Sequence, residues 1–88
     1  SMHFSSVTLL ITHYNRSHSL ARLLMTVQAL DLSFGDIVVS DDGSRSEHLD
    51  ALRALQLTHP FRLITTPQNR GLGHNLNQAQ ANVQTPYA

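Results

Sequence analysis

A chain of 88 residues with 41% hydrophobic content has room for one small domain with a modest core and lies outside the disordered range. It contains no cysteine, which excludes a disulfide scaffold and any cysteine-based zinc site. Six Arg and no Lys, spread without a run, balance six acids, and no apolar stretch approaches the roughly 20 residues that span a bilayer, so neither nucleic-acid nor membrane affinity is expected and a cytoplasmic location is the default.

Ser1-Met2 reads as a tag scar followed by an initiator methionine, so residues 1–6 are expected to be disordered ahead of a single domain over 7–88. Val7 to Thr12 is a short apolar run closed by polar residues, the pattern of a strand buried on both faces. After the loop through Arg16, Leu20, Leu23, Leu24, Val27 and Leu30 recur at helical spacing, with Ser17 or Ser19 available as cap and Gly35 beyond the end. Ile37, Val38 and Val39 form a second buried strand that runs into Ser40-Asp41-Asp42-Gly43-Ser44. Ser44 and Glu47 fit the capping box, in which hydroxyl and carboxylate each satisfy a free amide, so a second helix is expected near Arg45. It turns Leu49, Leu52 and Leu55 inward and stops at His59-Pro60, because proline disfavours helical geometry in the residue before it. Phe61 to Thr65 makes a third strand, and Asn69 to Gly73 bends the chain into a helix through about Val83. The order β-α-β-α-β-α predicts an α/β fold, a Rossmann-like three-stranded parallel half-sheet with right-handed crossovers. Ligands in such sheets bind beyond the C-terminal strand ends, where the loops Thr12 to Arg16 and Ser40 to Ser44 emerge.

The acidic pair Asp41-Asp42 exceeds what an Asp-Gly turn needs, and a carboxylate there can accept hydrogen bonds from a nucleobase imide or ribose hydroxyls. Ser44 is read as a cap. Tyr14 is close enough to stack on a base held by that pair, or else plugs the end of the core. Asn15 and Arg16 either cap the helix or meet a phosphate. Gly71-Leu72-Gly73-His74-Asn75-Leu76 fails as a dinucleotide fingerprint, because Leu76 replaces the third glycine and the turn follows the third strand. The six histidines lack the partners of a metal motif and are read as structural or solvated, with His74 expected at a helix start facing the same crevice.

Three segments, Leu10 to Arg16, Ile37 to Ser44 and Asn69 to Asn77, in this order and spacing, resemble the opening of inverting family 2 glycosyltransferases of GT-A fold. The resemblance covers nearly the whole chain and implies the N-terminal, nucleotide-sugar-binding part of such an enzyme. It places Thr12 and Tyr14 beside the base of a nucleoside diphosphate sugar, Asp42 with Asp41 on base or ribose, and Asn69 to Asn77 along the other side. The implied nucleotide-binding set is Thr12, His13, Tyr14, Asn15, Arg16, Asp41, Asp42, Asn69, Gly71 and Asn77. Two positions depart from the family pattern. Thr12 stands where proline is frequent, and Asn75-Leu76 replaces an alanine and an arginine.

The metal-binding D-x-D and the general base of the family lie downstream of a segment like Thr85 to Ala88, and no D-x-D occurs in this sequence. The resemblance therefore implies a divalent metal, Mg or Mn, for the full-length enzyme, none held by this chain, and binding without catalysis. Such enzymes commonly build surface polysaccharides; the acceptor is not specified by these residues. The alternative is a non-enzymatic receiver-like or interaction module with Asp41-Asp42 as phosphoacceptor or magnesium pair, although a receiver carries its acids after the first strand. In the implied fold a fourth strand pairs along the free side of the first, so Val7 to Thr12 is expected as an uncovered edge and the chain as a homodimer.

Overall fold

The computed structural model describes residues 1–88 as alternating strands and helices: β1 (Met2–His13), α1 (Ser17–Ala29), β2 (Leu32–Asp41), α2 (Ser46–Leu55), β3 (Arg62–Thr65) and α3 (Leu72–Ala81). The strands form one parallel sheet in the order β1-β2-β3, the expected Rossmann-like half-sheet. No helix is long and apolar enough to cross a membrane.

Successive side chains of a strand point to opposite faces, and the two faces here are filled differently. On one face Ile11 and Val39 meet Leu20 and Leu24 of α1, Leu52 of α2 and Phe61 in a single buried cluster. The helical spacing of Leu20 and Leu24 is what turns both inward. On the other face α3 lies across β1 and β2, with Asn75 and Ala79, one turn apart, as its buried residues.

The strands are longer than the apolar runs. Residues 2–6, expected to be disordered, form the first half of β1: Met2, His3 and Phe4 pair with Leu32, Ser33 and Phe34, and the two phenylalanine rings stack at 5.6 Å. The register shifts between Phe4 and Thr8, and there Gly35 lets the Ser5 carbonyl approach a space that a Cβ would fill. Gly35 is thus a close-approach residue within β2, and α1 is ended earlier by Asp31 at φ 53. Leu30, expected on the inward stripe, is 62% exposed.

The capping box does not form. Arg45, with extended backbone, is the N-cap of α2 and makes no capping bond, Glu47 pairs with Arg45 at 2.9 Å, and the Ser44 hydroxyl is drawn to the Asp41 carboxylate. Nor does Ser17 or Ser19 cap α1, whose N-cap is Arg16.

The free side of β1 is also not bare. After α3 returns across the sheet, the Tyr87 amide donates to the Ser6 carbonyl at 3.1 Å, and the Thr8 amide donates to the Tyr87 carbonyl at 2.9 Å. Val7 and Tyr87 form a parallel bridge, and the Thr8 and Thr85 hydroxyls bond at 2.5 Å. The edge expected to be open over Val7 to Thr12 is therefore covered at its start. By strand alternation the outward groups beyond it belong to Leu10 and Thr12. The chain thus reverses its direction of travel beside β1, the kind of switch point where open α/β sheets place ligands.

Candidate functional site

The β1–α1 and β2–α2 loops are tied together by side chains. Asn15, at φ 49, donates its amide to Ser44 Oγ and accepts the Arg45 amide on Oδ1, both at 2.8 Å. Asn is among the few residues that take this left-handed conformation readily, because its short polar side chain bonds locally.

Beneath this tie sits a buried cluster. Asp41 is fully buried. Its Oδ1 accepts His13 Nδ1–H at 2.7 Å and the Ser44 hydroxyl at 2.5 Å, and its Oδ2 accepts the Ser44 amide at 2.9 Å. His13 Nε2 accepts the Arg16 amide at 3.1 Å. A carboxylate only accepts, so the Asp41 contact places the ring proton on Nδ1 and leaves Nε2 its lone pair. The trio Ser44, His13 and Asp41 has the residue types of a nucleophilic triad without its geometry. Both partners face Nδ1, whereas a base that activates serine uses the nitrogen remote from the acid. Asp41, buried and accepting three hydrogen bonds, is equally unsuited to phosphoacceptance or to a solvent-facing metal.

Asp42 does different work. Oδ1 accepts the Arg70 amide at 2.7 Å, and Oδ2 accepts the Gly71 amide at 2.9 Å and Asn69 Nδ2 at 3.1 Å. Gly71, at φ 97 and the N-cap of α3, supplies the backbone angle this turn requires. A carboxylate offers about four lone-pair sites, so three donors leave one, on Oδ1, of a side chain that lines the cleft although Asp42 is only 4% exposed.

That cleft, of about 270 Å³, is lined by Thr12, His13, Tyr14, Arg16, Asp42, Asn69, Gly71, Leu72 and Asn75. Seven of the ten residues expected from the sequence thus meet in it. Asn15 and Asp41 lie behind the wall as ties. Asn77 is exposed and away from the cleft, because residues two apart on a helix face opposite ways and Asn75 takes the inward position. His74 is exposed on the first turn of α3 and does not line the cleft. Tyr14, 47% exposed, keeps its ring open at the rim beside Arg16.

Within the stretch Asn69 to Asn77 the expected set named neither Leu72 nor Asn75, and both line the cleft. Asn75 Oδ1 accepts the Ser40 hydroxyl at 2.6 Å, its Nδ2 donates to the Ser40 carbonyl at 2.8 Å, and Gln78 Nε2 reaches Ser40 Oγ at 2.8 Å. The available signal was the replacement of a small apolar residue by a polar one at an inward helical position. A second cleft of about 230 Å³, around Leu24, Val27, Ile37 and Pro60, lies at the opposite strand ends and gathers none of the motif residues.

No group of three or more His, Cys, Asp or Glu side chains is arranged to hold a metal ion. With Asp41 buried behind the cleft wall and Asp42 carrying three donors, neither acid fits the divalent metal that the resemblance implies for a complete enzyme. No curated protein and no solved structure matched the chain. Residues 8–88 match the family described as glycosyl transferase family 2, a match that spans all three strand-end loops. The sequence match, the parallel half-sheet and the cleft at the C-terminal ends of β1 and β2 agree, and the chain belongs to glycosyl transferase family 2, whose fold is GT-A.

Proposed function

We propose that the cleft receives the nucleoside of a nucleoside diphosphate sugar, and that the chain is the donor-binding part of an enzyme that passes the sugar to an acceptor hydroxyl. The observation that carries this reading is the convergence, in one cleft, of the open Tyr14 ring, the Thr12 side chain, the Arg16 guanidinium and the remaining lone pair of Asp42. An aromatic face, an acceptor for an imide or ribose hydroxyl and a cation are the complement of a nucleotide. At about 270 Å³ the cleft falls just under the roughly 300–1,000 Å³ of small-molecule sites, which suits a nucleoside better than a whole donor.

Binding in this reading is weak, because the diphosphate meets only Arg16, Arg70 and the helix ends. Transfer is not catalysed by this chain alone, since neither Asp41 nor Asp42 is free to take a proton from an acceptor. A cytoplasmic location belongs to the same proposal. So does a homodimer, formed by pairing the outward backbone groups of Leu10 and Thr12 with a second copy. Sedimentation at tens of micromolar tests it: a monomer with slow amide exchange through Leu10 to Thr12 overturns it.

NMR titration with uridine diphosphate in chelator tests the main reading. The expected result is affinity weaker than micromolar, with amide shifts confined to residues 12–16, 40–44 and 69–75. Asp42→Ala should abolish them. Absent shifts in the wild-type chain overturn the reading, and unchanged shifts in Asp42→Ala return that residue to a turn role.

A further inference from the structure

Helix α1 begins without a conventional cap. Its N-cap, Arg16, makes no side-chain capping bond, and the first turn holds no acid. The free amides turn to two imidazoles: Arg16 N–H donates to His13 Nε2 at 3.1 Å, and Ser17 N–H approaches His48 Nδ1 at 3.4 Å. An imidazole nitrogen accepts only while it is unprotonated.

At His13 the alternatives are limited by Asp41, which takes the Nδ1 proton at 2.7 Å and leaves Nε2 for the Arg16 amide. A second proton would arrive at Nε2, facing the Arg16 N–H donor and the positive end of α1. The groups around the ring are Asp41 at the end of β2, and from the β2–α2 loop the Asp42 amide, which donates to the His13 carbonyl at 3.0 Å, and Ser44 Oγ at 3.3 Å. From α2 comes the His48 ring at a centroid distance of 6.4 Å, with Arg45 Nη2 at 3.3 Å from its Nε2. The Arg16 and Asp42 side chains share the cleft with the ring.

We propose that His13 is a positioning residue for the segment Tyr14 to Arg16: its neutral imidazole holds the start of α1 against the cleft, and its protonation releases that segment. Tyr14 and Asn15 lie in the chain between the ring and its donor, the Arg16 amide, so release displaces Tyr14 and Arg16, the two side chains that line the rim. Nucleotide binding then weakens as pH falls, a consequence that rests on the nucleotide reading of the cleft. The movement of the segment does not rest on it.

NMR on the whole chain between about pH 8 and pH 5, where imidazoles change charge, tests the inference. At the upper end the His13 ring should show the Nδ1–H tautomer. On acidification a single-proton step at His13 should coincide with shifts of the Tyr14, Asn15 and Arg16 amides. That step should survive in His48→Gln and vanish in His13→Gln, which keeps an acceptor and cannot titrate. Uridine diphosphate should bind about two- to tenfold more weakly at the acid end, the fold-change of one lost hydrogen bond. His13→Gln measured alongside subtracts the titration of the nucleotide's own phosphate. An Nε2–H tautomer in the wild type, or segment amides that follow His48 alone, overturns the inference, as does pH-independent affinity relative to His13→Gln. Failure of the nucleotide to bind at any pH overturns the nucleotide reading instead, and the amide titration then decides this one.

Discussion

The two faces of the sheet are built from different chemistry. On the α1 and α2 face, Ile11, Leu20, Leu24, Val39, Leu52 and Phe61 make a non-directional apolar cluster. On the α3 face, contact runs through hydrogen bonds: Ser40 with Asn75 and Gln78, Arg62 with Asp36 at 2.8 Å and with the Asn82 carbonyl at 2.5 Å, and Thr8 with Thr85. Apolar burial stabilises in proportion to area and tolerates small rotations of a helix. A bidentate side-chain pair such as Asn75 on Ser40 fixes the helix at one angle. Since α3 forms one wall of the cleft, the polar face sets site geometry and the apolar face sets stability.

Substitutions at four positions bear on that division. Leu52→Ala, at a fully buried position, should cost about 2–5 kcal/mol in denaturant unfolding and leave the cleft amide shifts of the folded fraction unchanged. Altered cleft shifts would mean that the apolar face also shapes the site. Asp42→Ala removes a charged acceptor of three donors and should cost about 1.5–3 kcal/mol, with faster amide exchange at Arg70 and Gly71. Asp42→Asn, which keeps one carbonyl acceptor, should recover part of that protection.

Asn75→Ala should cost about 1–3 kcal/mol by leaving Ser40 groups unpaired. Unlike Leu52→Ala it should shift the amides of α3 and the cleft together, and a change in stability with no shift there would break the comparison. The smallest effect is expected at Glu47→Gln. The hydrogen bond from the Arg45 guanidinium holds Glu47 below its ordinary pKa, so the pair favours the folded state above the unfolded carboxyl's pKa and loses that contribution as pH falls through the lowered value. The group is fully exposed and screened, so the thermal midpoint near neutral pH should not move measurably. A clear fall would restore the capping box that the structure lacks.

The order of elements was legible because it rests on local signals. β-branched runs at Val7 to Thr12 and Ile37 to Val39, and leucines at helical spacing, each act within a few residues. Strand ends were not legible. The pairing of Phe4 with Phe34 joins segments separated by the whole of α1, and no short window contains both. The S-x-x-E pattern at Ser44 failed for the same reason, since the hydroxyl found Asp41 and Asn15 in space before it found its own helix.

Of the site, the sequence by itself determined which loops meet, because three parallel strands joined by helices must deliver them to one edge. Only the tertiary structure decided what each residue does there. Asp41 and Asp42 are adjacent and alike in the sequence. Strand alternation nonetheless sends Asp41 inward to His13 and Ser44 and turns Asp42 to the α3 turn and the cleft. Asn75 and Asn77 are likewise separated by helical phase, one buried on Ser40 and the other in solvent. A side chain's role follows from the donors and acceptors that reach it, and here those come from elements far along the chain.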